Sequence, residues 1–131
     1  MPHLTLDYAP ELEAEVDMPA LCERLRQAMV ETGLFPLAGI RVRAFAASHV
    51  AIADGDPAHL YLDMSIRLRR GRDLEARKAA VAHVFAAAEE VLAPMMARRS
   101  LALSMEMRDI DPDLAPKAGS VRAFLKQGAD V

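Results

Sequence analysis

The sequence predicts an α+β domain in which two β-α-β repeats form a four-stranded mixed sheet with two helices on one face. Three observations lead there. Four segments alternate apolar and polar residues with a period of two. Each half of the chain carries one stretch of helical periodicity with an aspartate just ahead of it. The halves meet at "ADGDP", a run of turn-forming residues.

In the first half, "HLTLDY" sets Leu4, Leu6 and Tyr8 against His3, Thr5 and Asp7, the pattern of a half-buried strand. "APELEAEV" reads as a polar connection. Asp17 is placed to cap a helix whose Pro19 falls in the first turn, where a missing N–H costs nothing. Leu21, Leu25, Ala28 and Met29 form its apolar stripe, and Gly33 is placed to end it. "LFPLAG" then leads into a second strand, "IRVRAF".

The second half repeats this order. In "HLYLDMSIRL", Leu60, Leu62, Met64, Ile66 and Leu68 point one way and His59, Tyr61, Asp63, Ser65 and Arg67 the other. After the turn "RRGRD", Asp73 caps a long helix with Leu74, Val81, Val84, Phe85, Ala88, Val91, Leu92 and Met95 at helical spacing. Pro94 predicts a kink or stop near its end. "LALSMEM" alternates again through Leu101, Leu103, Met105 and Met107. "DIDPDLAP" is rich in turn formers, and "SVRAFLK" has the makings of a short terminal helix. Helices on one face leave the other sheet face uncovered, which favours oligomerisation.

Composition narrows the function classes. A chain of 131 residues, 53% apolar and 27% charged, fits one soluble domain spanning residues 1–131. A net charge of −3 gives no general attraction to nucleic acid or to an anionic membrane. Charged residues interrupt the apolar stretches before membrane-spanning length, and no secretory pattern opens the chain. The one cysteine, Cys22, excludes an internal disulfide and fits a reducing compartment, so a cytoplasmic location is expected.

Few residues are suited to chemistry. The four histidines, His3, His49, His59 and His83, lack metal-ligand spacing, and Cys22 lies near an apolar stripe. No nucleophile elbow or phosphate-binding glycine loop is present. Arg41 and Arg43 share one side of a strand, and Arg67, Arg69, Arg70 and Arg72 gather around a glycine turn. Arg72 stands apart, because a helix begins directly after it and both could act on one anion. Pro2 has two readings. It is either a strand-starting residue or, once Met1 is removed, a rigid secondary amine whose ammonium form is disfavoured by burial and by nearby arginines.

"MPHLTLDY", "TGLFPLAGIRVRAF", "ADG", "GRDLEAR" and "LALSMEM" occur in that order. Together they resemble the 5-carboxymethyl-2-hydroxymuconate delta-isomerase family of the tautomerase superfamily, from Pro2 to about Leu125, with residues 113–131 a loosely matched tail. The resemblance implies a homotrimer, removal of Met1, and Pro2 acting as catalytic base without metal or organic cofactor. It implies an unsaturated, carboxylate-bearing dienol acid from aromatic-ring catabolism as substrate. Arg41 in "PLAGIR" and Arg72 in "GRDLEAR" match the family's active-site arginines, whereas Arg43, Arg69 and Arg70 inherit no role. Two other readings are a related tautomerase acting on another keto or enol acid, and a non-catalytic α+β binding module.

Overall fold

A computed structural model describes residues 2–126. The expected removal of Met1 and the end of the tail lie outside the described residues. The strands are β1 (His3–Tyr8), β2 (Arg41–Ala46), β3 (Leu60–Arg69) and β4 (Leu101–Ile110), and the helices are α1 (Met18–Glu31) and α2 (Leu74–Met96). The sheet order is β2-β1-β3-β4. β1 runs parallel to β2 and β3 parallel to β4, while β1 and β3 pair antiparallel. Two β-α-β units are thus joined through one central antiparallel ladder, giving the mixed sheet expected from the sequence.

The alternation decides which face is buried. Leu4, Leu6 and Tyr8 of β1 join Leu60, Leu62, Met64, Ile66 and Leu68 of β3 in the core. Against them pack Leu21, Leu25, Ala28 and Met29 from α1 and Ala80, Val84, Ala88, Leu92 and Met95 from α2. The intervening residues of the strands stand on the opposite face, which no helix covers. Asp17 and Asp73 begin the helices as expected, accepting hydrogen bonds from the Ala20 N–H at 3.1 Å and the Ala76 N–H at 2.7 Å. Gly33 follows α1 with φ of +68°, a conformation costly to any residue with a Cβ.

Four details differ from the sequence reading. The "polar connection" holds a 3-10 helix, Pro10–Ala14, which turns Leu12 fully into the core. On α2, Leu74 and Val91 are exposed, and Ala80 and Ala87 take the buried positions. Leu74 sits at the first position of the helix, ahead of the stretch that packs on the sheet, and Val91 lies about 100° around the helix from buried Leu92. Pro94 does not stop α2, which continues to Met96 and caps at Ala97. The expected terminal helix is one 3-10 turn, Val121–Phe124, with Phe124 exposed.

By length and composition α2 is also apolar enough to cross a bilayer, with mean hydropathy 1.3 over 18 residues. In this fold its buried stripe is instead satisfied by the sheet, and small alanines on that stripe allow close approach.

The Asp17 cap lies far from β1's start and offers a clean test of the local assignment. Asp17→Ala is expected to lower stability by about 1 kcal/mol, or a few degrees in melting temperature, measured by thermal unfolding. An unchanged melting temperature would refute the cap.

Candidate active site

β1 is hydrogen-bonded on both sides, so the residue ahead of it is held in place. Pro2 is buried. Its carbonyl accepts a hydrogen bond from the Arg41 N–H at 3.2 Å, extending the β1–β2 ladder by one residue. The "PLAG" segment makes this possible. Pro36 precedes a single 3-10 turn, Leu37–Gly39, and the Ile40 N–H closes that turn on the Leu37 carbonyl. The chain then enters β2 at Arg41 in register with His3.

A cavity of about 260 Å³ opens at this point. Pro2, Pro36, Ala38, Gly39 and Arg41 line it. The tail also lines it, contributing Lys117 and Arg122 among small and apolar residues. Arg41 Nη1 donates to the carbonyls of Gly39 at 2.9 Å and Ala38 at 3.4 Å. Its Nε and Nη2 make no hydrogen bond among the described residues, so a fork of donors is left for an anion.

Arg72 is placed differently. Gly71 takes φ of +125°, and the Arg72 side chain turns back across the fold. Its Nε donates to the Leu34 carbonyl at 3.2 Å and its Nη1 to the Arg69 carbonyl at 3.0 Å. The guanidinium therefore ties the end of β3 to the segment that becomes the cavity lining at Pro36. The structure brings Pro2 and Arg41 into one cavity and sets Arg72 behind that lining rather than in it.

His3 occupies the next position along β1. It lies between Arg41 of β2 and Arg67 of β3 in register. It is buried, and neither ring nitrogen has a hydrogen-bond partner among the described residues. Burial above all, then the charges of Arg67, Arg43 and Arg41, holds its pKa below the ordinary 6.5. Near neutral pH it adds no positive charge of its own beside Pro2.

The other candidates fall away from this site. His59 is held between Ser100 and Asp54, both at 2.8 Å, and His83 meets Glu31 at 2.7 Å. Burial raises the thiol pKa of half-buried Cys22, which disfavours the nucleophilic thiolate. Arg70 pairs with Asp111 at 3.0 Å, and Arg43 lies 6.0 Å from the Phe45 ring centroid. Among the described residues no group of three or more His, Cys, Asp or Glu is placed to hold a metal ion. Lys117 and Arg122 escaped the sequence reading because their segment has no periodicity, and only the fold brings it back to Pro2.

The geometry can be set beside known proteins. A model of the 5-carboxymethyl-2-hydroxymuconate isomerase family matches residues 2–125. A 5-carboxymethyl-2-hydroxymuconate Delta-isomerase of Escherichia coli is 33% identical over 126 residues, covering 96% of this chain and all of that protein. A crystal structure of a 5-carboxymethyl-2-hydroxymuconate delta-isomerase superposes with TM-score 0.89 at 30% identity, over 99% of this chain and 96% of the other. A 5-carboxymethyl-2-hydroxymuconate isomerase from Deinococcus radiodurans R1 gives TM-score 0.88 at 30% identity, over 95% of each chain.

The environment of His3 makes a pH-dependent contribution to stability. Its folded-state pKa is depressed, so the unfolded chain binds the proton first as pH falls. The neutral-state contribution is complete above the ordinary value of 6.5 and declines as pH drops through that value toward the folded pKa. Urea unfolding between pH 7.5 and 5 is expected to show a smaller loss of stability for His3→Gln than for wild type. Identical slopes would contradict a buried, neutral His3.

Proposed function

Because this chain belongs to the 5-carboxymethyl-2-hydroxymuconate isomerase family, we propose that it shifts a carbon–carbon double bond in 5-carboxymethyl-2-hydroxymuconate, using the Pro2 nitrogen as base. One observation supports this reading above the others: Pro2 and Arg41 are bonded through their backbones and line the same cavity. Removal of Met1 converts the Pro2 nitrogen from a tertiary amide into a secondary amine. Burial and the Arg41 charge disfavour its ammonium form, leaving a neutral base.

The reaction is a proton relay. The Pro2 amine takes the proton from the substrate's enol hydroxyl, and the electron pair moves through the conjugated diene. A proton returns at the far carbon, giving the conjugated keto isomer and regenerating the amine. The Arg41 fork binds a substrate carboxylate and offsets negative charge developing on the dienolate oxygen. Arg72 fixes the Leu34 and Arg69 carbonyls and contributes positive charge from behind the lining. Its remaining N–H groups are the ones available to a carboxylate that reaches past Pro36.

The working assembly in this proposal is a homotrimer in the cytoplasm, where lone Cys22 remains reduced. β2 and β4 are the two sheet edges, and β4 carries ten residues with one unpaired side. A long exposed edge is a ready surface for another copy of the chain. Exposed Leu114, Phe124 and Phe45 add apolar area for the same purpose.

Intact mass of the purified protein is expected to lack one methionine. Loss of ultraviolet absorbance follows ketonisation of the dienol acid, and Pro2→Ala is expected to lower kcat by about 100-fold or more with the fold retained. Arg41→Ala is expected to lower kcat/KM by about 100-fold. A retained Met1 on an active protein, or full activity in Pro2→Ala, would overturn the amine-base mechanism.

A further inference from the structure

The lining of the Pro2 cavity contains three cations, Arg41, Lys117 and Arg122, and no acidic residue. Arg41 comes from β2 and the other two from one stretch of the tail, so the fold rather than sequence proximity brings these two parts of the chain together. None of the three takes part in an ion pair among the described residues, although Arg24, Arg26, Arg77, Arg98, Arg99 and Arg108 do. Lys117 and Arg122 flank Ala118, Gly119 and Val121 in one stretch of the tail, and Ala118, Gly119 and Val121 line the cavity with them. Three like charges around one concavity repel one another until an anion enters. The volume of about 260 Å³ lies just below the range of small-molecule sites, about 300–1,000 Å³.

We propose that Lys117 and Arg122 are specificity-determining residues that grip the carboxylates of the substrate farthest from Pro2, so that the tail selects tricarboxylates over dicarboxylates. This rests on the family reaction proposed above. Arg41 is fixed to the Pro2 backbone and serves the reacting end. The tail cations share the cavity with it and serve the far end, including the carboxymethyl arm. A dicarboxylate lacking that arm leaves one tail cation without a partner. The tricarboxylate satisfies all three, and each charge-assisted contact contributes to binding.

Paired kinetics test the assignment. Wild type, Lys117→Met, Arg122→Met and the double variant are assayed on 5-carboxymethyl-2-hydroxymuconate and on 2-hydroxymuconate, which lacks the carboxymethyl arm. Methionine keeps the length of the side chain and removes the charge. The preference for the triacid, as a ratio of kcat/KM values, is expected to fall by about 10-fold in the single variant that removes the cation serving the arm and in the double variant, through KM rather than kcat. A ratio unchanged in all three variants, or a fall confined to kcat, would overturn the proposal. Calorimetric binding of the unreactive propane-1,2,3-tricarboxylate separates this from the reaction itself. Pro2→Ala is expected to keep that binding and the double variant to lose it, even if wild type turns over neither acid. Undiminished binding in the double variant, or none in wild type, would also overturn the role of the tail.

Discussion

The central antiparallel ladder between β1 and β3 is the constraint on which the rest depends. It joins the two β-α-β units, and it buries β1 between β2 and β3 with hydrogen bonds on both sides. An interior strand does not slide by one residue, because doing so would turn Leu4, Leu6 and Tyr8 out of the core and the polar set into it. The head of β1 is therefore fixed where β2 begins and β3 ends. Pro2 inherits that position, and so does whatever chemistry its nitrogen performs.

The same ladder sorts charge along the open sheet face. Arg41, His3, Arg67 and Arg108 stand in one row across four strands at the Pro2 end. Asp7 and Asp63 stand opposite one another farther along, where Tyr61 donates to Asp7 at 2.6 Å and Ser104 to Asp63 at 2.7 Å. Burial first, then the Asp7 contact, push the Tyr61 hydroxyl pKa up to about 12, so that it remains a donor. Arg108 is paired with Glu106, so Arg41 and Arg67 carry the positive charge beside the cavity, and the aspartates stand away from it. A neutral His3 within the positive row limits the repulsion there, and the field that remains favours anionic ligands and an unprotonated amine at one end of the sheet.

Much of this was legible in the sequence because it rests on periodicity. The alternation in "HLYLDMSIRL" placed every buried residue of β3, and Asp17 and Asp73 marked where the helices start. Pro2 and Arg41 were legible from motif resemblance, and the structure places them at one cavity. Leu12 was missed because a lone apolar residue in an acidic segment carries no period. Arg72 was assigned from its neighbours in sequence, yet its direction is set by Gly71 and by two carbonyl acceptors distant in the chain. Lys117 and Arg122 were hidden for a related reason: their segment has no regular structure, and its position is decided by where the tail returns. Local patterns report local structure, whereas side chains from three parts of the chain meet only after folding.

The central claim is that the nitrogen at the head of β1 is a neutral base in a cationic pocket. Labelling the protein with 15N-proline and following the Pro2 resonance through a pH titration measures this directly. The account predicts a free secondary amine that titrates well below the ordinary α-amino range of about 7.7–8.0 and moves back toward it in Arg41→Ala. A Pro2 nitrogen still acylated by Met1, or an amine titrating in the ordinary range with no response to Arg41→Ala, would contradict it.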